Sequence, residues 1–328
     1  MQRTSLHFVG MVALSVLSLA PVSVRGADYK LLKEIPVGGA ASWDYASVDE
    51  AGRRLYLSHG TEVVVIDVDK EAVVGVISNT PGVHGLAPAP DLQKGYSSNG
   101  RENKASVIDL KTLQTITKVD TGANPDGMLY EPGQQEIYMF NGRGNSATVI
   151  DAKTDKVVAT IQLSGKPEFA KADPKAGRVY NNNETKSEVT VIDTKTHKVV
   201  NTWPIAPGEG PTGMGIDLEH HRLIIGCGGN PKMIIMDSTT GKIVADVPAG
   251  AGIDAAAFDP GTQYAFTSNG DDGTVTIAHE DTPDKFTVVQ TLKTQPRALT
   301  MTLDPKTHKI YLATGAGGDF RVLVFGMQ

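Results

Sequence analysis

Four acidic side chains and one histidine fall at matching points of a repeated sequence pattern. They are Asp44, His84, Asp126, Glu168 and Asp254. Carboxylates together with asparagine carbonyls are ligands that a hard cation such as Ca²⁺ prefers, and a histidine among them would admit a transition metal. A cation held there could polarise an ester or lactone carbonyl, or lower the pKa of a bound water. His84 is the candidate general base for such a reaction.

The four carboxylates also raise an electrostatic problem. Two like charges ~8 Å apart repel by ~2 kcal/mol at an effective dielectric constant of about 20. The acids therefore need a cation, raised pKa values or positive partners, for which Arg101, Arg143 and Arg297 are the candidates. A second interpretation is that the acids are simply solvated in a polar channel and that the nearby histidines serve in turns or packing.

The five candidate ligands belong to one face of the predicted fold. This face is formed by the loops that lead into and out of the innermost pair of strands of each repeat, and we assign further residues to it. They are Trp43, Tyr45, His59, Asn99, Arg101, Asn124, Asn141, Arg143, Asn183, Asn269 and Arg297. Several of them have a structural interpretation as well. The Asn-Gly steps at 99–100, 141–142 and 269–270 are good turn signals, and Trp43 and Tyr45 could cap the inner core.

The elements that must position these residues come from a repeat that runs through the chain. A β-branched run ends in Ile-Asp, Met-Asp or Ala-His at intervals of 42, 42, 42, 44 and 42 residues; the end points are Asp67, Asp109, Asp151, Asp193, Asp237 and His279. A turn and a second β-branched strand follow each of these points, and another pair of strands precedes it. Four short strands per repeat and no helix predict an all-β fold, a seven-bladed β-propeller.

The seventh repeat has only three strands, at 296–302, 309–314 and 321–325, before the chain ends. Residues 29–37 have the pattern of the missing outer strand. We expect this N-terminal strand to pair with 321–325 and close the ring, because closure removes open strand edges. The prediction is a single propeller domain over 27–328, and a monomer.

Residues 1–26 have the three-part pattern of a secretory signal peptide. Arg3 precedes an apolar run over 8–20, and Val24-Arg25-Gly26 offers a cleavage site before Ala27. The apolar run is too short to span a bilayer, although an N-terminal anchor helix is the alternative. We therefore predict a periplasmic protein with no membrane span after cleavage.

The V-x-V-I-D-x-x-T-x-K-V-V repeat resembles the YVTN-repeat β-propellers, the YncE-like family of exported bacterial proteins. The strings W-D-Y at 43–45, P-G-V-H-G at 81–85, G-K-P-E-F at 165–169 and D-P-K-T-H-K-I-Y-L-A-T at 304–314 are also similar to that family. The resemblance covers 27–328 and implies a seven-bladed ring. It implies no single activity, because related propellers include enzymes and pure binding platforms.

Composition excludes several classes of site. The single cysteine, Cys227, rules out an internal disulfide, a cysteine-based zinc site, a C-x-x-C-H haem and an iron–sulfur cluster. The net charge of −6 makes nucleic acid an unfavourable partner. Quinone-cofactor propellers resemble the chain in one turn but carry a tryptophan in each blade, and only Trp203 falls at such a place here. No phosphate-cradling glycine motif is present, so we expect neither PQQ nor NAD.

These observations predict a ligand- or partner-binding module of the cell envelope that works through the face of the inner loops. The partner would be a small molecule or an envelope protein, and the one cofactor suggested is a divalent cation, Ca²⁺ or a transition metal. The alternative is a metal-assisted hydrolase, lactonase or lyase. It would act at the channel mouth, the end of the central channel of the ring at which Asp44, His84, Asp126, Glu168 and Asp254 are expected. An enzyme needs the acids and His84 to converge within ligand distance, whereas a binding platform does not.

Overall fold

The computed structural model describes residues 27–327 and contains 28 β-strands in seven four-stranded antiparallel sheets. The innermost strands contact one another in sequence order, and the last also contacts the first, so the sheets form a closed ring of blades. The predicted seven-bladed β-propeller is confirmed. The predicted signal peptide, 1–26, lies outside the described residues. Within 27–327, no helix has the length and apolar character needed to cross a membrane.

The first strand, β1 (Tyr29–Pro36), belongs to the last blade. The next strands build blades 1 to 3 in chain order, innermost strand first. Blade 1 contains β2 (Ala46–Asp49), β3 (Arg54–His59), β4 (Glu62–Asp67) and β5 (Ala72–Ile77). Blade 2 contains β6 (Val83–Ala89), β7 (Lys94–Asn99), β8 (Lys104–Asp109) and β9 (Gln114–Asp120). Blade 3 contains β10 (Pro125–Glu131), β11 (Glu136–Asn141), β12 (Ser146–Asp151) and β13 (Lys156–Gln162).

Blades 4 to 6 repeat this arrangement. Blade 4 contains β14 (Pro167–Asp173), β15 (Arg178–Asn183), β16 (Glu188–Asp193) and β17 (Lys198–Pro204). Blade 5 contains β18 (Pro211–Asp217), β19 (Arg222–Cys227), β20 (Lys232–Asp237) and β21 (Ile243–Pro248). Blade 6 contains β22 (Ile253–Asp259), β23 (Tyr264–Asn269), β24 (Thr274–Thr282) and β25 (Lys285–Lys293). Three short 3₁₀ helices cover Pro90–Leu92, Glu184–Lys186 and Ala316–Gly318.

The Ile-Asp pairs form the repeating unit of the core and its turns. Ile66, Ile108, Ile150 and Ile192 are completely buried on the third strand of their blades. The aspartate that follows accepts backbone N–H groups of the next turn; Asp151 accepts from the amides two and three residues on, at 2.9 and 2.8 Å. One pair of residues therefore supplies both the apolar contact and the turn that starts the outer strand.

Blade 7 combines β26 (Met301–Asp304), β27 (Lys309–Thr314) and β28 (Arg321–Met327) with β1, which pairs antiparallel with β28. The predicted closure of the ring by the N-terminal strand is confirmed. Tyr29 also joins blade 7 to blade 6, because its backbone N–H and C=O bond to the side chain of Gln290 at 3.0 and 2.8 Å.

The inner strand of blade 7 differs from the prediction of 296–302, which is wrong. Residues 296–297 form a turn, in which the Ala298 N–H donates to the Gln295 carbonyl at 3.0 Å, and the strand begins only at Met301. Arg297 lies in this turn with a φ of 62°.

Candidate functional site

The site residues sit at the start of the innermost strands. His84, Asp126, Glu168 and Asp254 are each the second residue of such a strand. In all four blades the register between the innermost and second strands shifts within the first residues, which is the mark of a β-bulge. A bulge bends the strand and redirects a side chain, so the same local irregularity presents these four groups at the channel mouth.

Three of the five candidate metal ligands come together. His84 Nδ1 lies 2.6 Å from Asp44 Oδ2 and 3.4 Å from Asp126 Oδ1. One ligand atom from each of the three residues can be chosen so that all lie within 4.8 Å of one another. Asp126 is nearly buried, whereas Asp44 keeps 42% of its side-chain surface exposed. The cluster therefore has an enclosed side and an open side.

The charges of this cluster shift its pKa values. Burial lowers the pKa of His84, but the hydrogen bond to Asp44 and the charge of Asp126 outweigh burial, and the net pKa is raised. Burial raises the pKa of Asp126 to about 7, with Asp44 and Glu168 adding to the shift and His84 opposing it. A proton therefore competes for Asp126 near neutral pH unless a positive charge takes its place.

His84 Nδ1 faces the two carboxylates, and the Asn124 side chain also contributes to the raised pKa of His84. Gly100 leaves the space for this arrangement, since a Cβ there would lie 2.5 Å from Nε2 of the histidine. Nδ1 of His84 is thus placed between two carboxylates, where it can serve as a ligand or a charge partner.

Glu168 and Asp254 lie apart from the cluster with partners of their own. Lys166 Nζ is 2.5 Å from Glu168 Oε1, and the Tyr45 hydroxyl donates to Glu168 Oε2 at 3.2 Å. Burial still raises the pKa of Glu168. Asp254 Oδ2 accepts a hydrogen bond from Thr300 at 3.3 Å, and burial raises its pKa to about 7, helped by the charges of Asp44 and Glu168.

The predicted arginine partners do not form ion pairs with the acids among the described residues. Arg101 and Arg143 line a cleft of about 310 Å³ together with Asp44, His84 and Asn124. Arg297 lines a smaller neighbouring hollow of about 220 Å³ that also reaches Asp254. The arginines thus stand around the mouth with their guanidinium groups free of carboxylate partners within the described chain.

Four predicted asparagines are the last residues of the second strands of their blades, and all four are buried. Asn99, Asn141, Asn183 and Asn269 have no exposed surface. Their amide groups bond to nearby side chains; for example, Asn141 Nδ2 lies 3.1 Å from the hydroxyl oxygens of Ser146 and Thr148. The structure therefore supports the turn interpretation for Asn99, Asn141 and Asn269, and it encloses all four asparagines.

Two aromatic residues and a histidine at the mouth take part in packing. Trp43 stacks on Phe320 with ring centroids 5.2 Å apart, and His59 packs on the same ring at 4.8 Å. Nε2 of His59 also lies 2.9 Å from the Ala40 carbonyl oxygen. Tyr45 is 5% exposed and packs against Phe169 at 4.4 Å, so it fills the channel beneath the acids.

Sequence reasoning missed Lys166. This lysine bridges Glu168 and Glu184, at 2.5 and 2.7 Å, and so neutralises one of the acids of the ring. The available signal was only that a lysine stands two residues before Glu168 in the loop that leads into β14.

A second cluster of titratable groups joins blades 5 and 6 at the opposite ends of the strands. His220 Nδ1 lies 2.8 Å from Asp217 Oδ2 and 3.1 Å from Glu280 Oε1. The Glu280 side chain is fully buried, neither of its oxygens has a well-formed hydrogen bond, and burial raises its pKa. One imidazole thus serves two carboxylates.

No protein-family model and no curated protein matches this chain. Solved structures are similar to it. They include a chain of "Kuenenia stuttgartiensis Hydrazine Synthase", with a TM-score of 0.74 and 18% identity over 86% of this chain and 95% of that one. A chain of "Crystal Structure of Mitotic Checkpoint Complex" has a TM-score of 0.79 and 12% identity over 97% of this chain and 98% of that one. The fold is a seven-bladed β-propeller. At these identities the likeness shows the propeller fold alone.

Proposed function

We propose that this propeller is a binding module that holds a divalent cation between Asp44, His84 and Asp126 and uses it to bind a small anionic molecule. The observation that carries the proposal is the convergence of the three ligand atoms within 4.8 Å beside a cleft of about 310 Å³. Three protein ligands leave coordination positions of a bound ion open to an outside group. Arg101 and Arg143 in the cleft lining would contact the same anion.

The donor set favours a transition metal over Ca²⁺. Ca²⁺ takes about six to eight oxygen ligands, whereas one imidazole nitrogen with two carboxylates suits Mn²⁺ or Zn²⁺. The Asn124 side chain, which lines the same cleft as His84, could orient the imidazole as outer-shell partners orient metal-bound histidines. A cation would also replace the proton for which Asp126, with a pKa of about 7, otherwise competes.

We further propose that the chain is exported and belongs with the YVTN-repeat propellers. The signal-peptide pattern of 1–26 and the V-x-V-I-D repeat support this assignment. The binding face would then act in the cell envelope. N-terminal sequencing of protein recovered from the periplasm tests the export step, and a mature N-terminus at Ala27 is the expected result.

Calorimetric titration of chelator-treated mature protein with Mn²⁺, Zn²⁺ and Ca²⁺ tests the cation site. We expect one equivalent of Mn²⁺ or Zn²⁺ to bind, and Asp126→Asn to abolish this binding while leaving the circular dichroism spectrum unchanged. Asp271→Asn removes an exposed carboxylate from blade 6 and is the matched control. Binding that survives Asp126→Asn, or the absence of binding to the native chain, would overturn the proposal.

A second candidate function is metal-assisted hydrolysis of a lactone or ester at the mouth. Asp126 and Asp254 favour it, because burial raises the pKa of each to about 7, where a carboxyl group can give and take a proton at neutral pH. Acid release from a panel of lactones and esters, measured with the Mn²⁺-loaded protein, tests this function. Loss of turnover in Asp254→Asn with retained Mn²⁺ binding would support it, and no turnover with any substrate would leave binding as the function.

A further inference from the structure

The channel beneath the acidic mouth contains a separate cavity of about 650 Å³. The innermost strands of blades 1 to 4 and 7 form its wall. Most of the side chains that line it are apolar; they include Val48, Leu86, Met128, Leu129, Phe169 and Leu303. A cavity of this size and lining falls within the range that proteins use for small molecules.

Tyr45 separates this cavity from the acids. Its hydroxyl donates to Glu168 at the mouth, while its ring packs on Phe169 with centroids 4.4 Å apart and lines the cavity. The two compartments therefore differ in chemistry: carboxylates surround the mouth, and apolar side chains surround the cavity.

One cationic group, Lys171, lines the apolar cavity. Lys171 is half-buried, and no hydrogen bond or ion pair to its amine is found within residues 27–327. Burial alone lowers the pKa of Lys171, and no carboxylate contributes to the shift. The acid in the same lining, Asp91, is already bonded to the Tyr130 hydroxyl at 2.8 Å and the Gln135 amide at 2.7 Å.

The lysine is particular to one blade. It stands two residues before the end of its inner strand. The matching positions of the other six blades hold uncharged residues, namely Ser47, Ala87, Leu129, Gly215, Ala257 and Thr302. Packing of the ring therefore does not require an amine at this position.

We propose that the cavity binds an apolar molecule that carries one carboxylate, with its hydrocarbon part against the apolar wall and its carboxylate on the Lys171 ammonium. An ammonium group without a counter-ion is costly in apolar surroundings, and a carboxylate offsets that cost by a charge-assisted hydrogen bond. The apolar lining contributes by removing the hydrocarbon part from water. This site is distinct from the cation site at the mouth and needs no metal.

Calorimetric titration of the mature chain with decanoate and with decanol tests the proposal. Decanoate should bind at least about tenfold more tightly than decanol, the effect of one charge-assisted hydrogen bond. Lys171→Met keeps a long apolar side chain in place and should weaken decanoate binding by a similar factor without weakening decanol binding. Lys171→Arg keeps the charge and should retain the preference for decanoate.

The controls separate this site from the mouth. Asp126→Asn and chelator treatment should leave decanoate binding unchanged, and thermal melts establish that each variant is folded. Equal affinities for decanoate and decanol, an unchanged decanoate affinity in folded Lys171→Met, or no decanoate binding to the native chain would each overturn the proposal. If Lys171→Met fails to fold, the decanoate-to-decanol ratio of the native chain and of Lys171→Arg decides the question.

Discussion

Replacing Asp254 by asparagine should stabilise the protein at neutral and alkaline pH and have little effect in acid. Burial raises the pKa of Asp254 from its usual 3.8 to about 7, assisted by the charges of Asp44 and Glu168. The folded state therefore resists ionisation of this group, whereas the unfolded chain ionises it near its ordinary pKa. Asparagine has nearly the same shape and can remain next to Thr300, but it never takes up the charge.

The magnitude follows from linkage between ionisation and folding. A raised pKa of a carboxyl group destabilises the fold as the pH rises, because the unfolded state loses its proton first. The cost is absent below about pH 3.8, grows between pH 4 and pH 7, and is complete above the folded pKa of about 7. A difference of about three pKa units corresponds to about 4 kcal/mol at pH 8, and the cost at pH 4 is below about 1 kcal/mol.

Urea unfolding of the native chain and of Asp254→Asn at pH 4 and pH 8, in chelator-containing buffer, measures this difference. We expect the variant to gain several kcal/mol at pH 8, which raises its melting temperature by roughly 5–10 °C. Asp271→Asn removes an exposed carboxylate from the same blade and should change stability by less than about 0.5 kcal/mol at both pH values. An equal effect of Asp254→Asn at pH 4 and pH 8, or a loss of stability at pH 8, would refute the reasoning.

Three further predictions concern the frame of the propeller. Glu280→Gln should raise the free energy of unfolding at neutral pH by on the order of 1 kcal/mol, because it removes a buried carboxylate that lacks well-formed hydrogen bonds. The gain, measured by urea unfolding, should shrink in acid, where the raised pKa leaves Glu280 protonated in the native protein. Deleting 27–36 should abolish the single cooperative melt and cause aggregation in size-exclusion chromatography, since β28 then has an open edge. Ile150→Ala should cost about 2–5 kcal/mol in urea unfolding, whereas Val158→Ala, which truncates a side chain that is 48% exposed, should cost less than about 0.5 kcal/mol.

The frame was predictable because its determinants are local and repeated. Each Ile-Asp pair indicates where a third strand ends and a turn begins. In the structure the isoleucine is buried in the core and the aspartate accepts backbone N–H groups of the turn. The closing strand was predictable because residues 29–37 carry the same pattern at the other end of the chain. The inner strand of blade 7 was misplaced although the turn before it has a counterpart in blade 2, where the Val83 N–H donates to the Thr80 carbonyl and Gly82 has a φ of 64°. In blade 2 the strand follows this turn at once, whereas in blade 7 pairing with the second strand begins only at Met301.

The pairing of the site residues was less predictable. The repeat predicts that Asp44, His84, Asp126 and Glu168 lie on one face. It does not predict the distances between their side chains across the channel. Tyr45 reaches from blade 1 to Glu168 in blade 4, a contact between residues 123 apart in the chain. Contacts of this kind depend on the width of the channel and the offset between blades, which no single repeat contains.

Burial bears on the interpretation that the acids are simply solvated in a polar channel. Solvated carboxylates would keep their ordinary pKa values and cost the fold nothing. Desolvation instead raises the pKa of Asp126 and of Asp254 to about 7, and each ionised group would cost about 4 kcal/mol at alkaline pH. Domains have only about 5–15 kcal/mol of total stability, so two such groups take up a large share of it. A cation between Asp44, His84 and Asp126 would remove the part of this cost that Asp126 carries. If Mn²⁺ raises the melting temperature at pH 8 more than at pH 5, the site exchanges its proton for a metal, and metal binding explains the burial of Asp126.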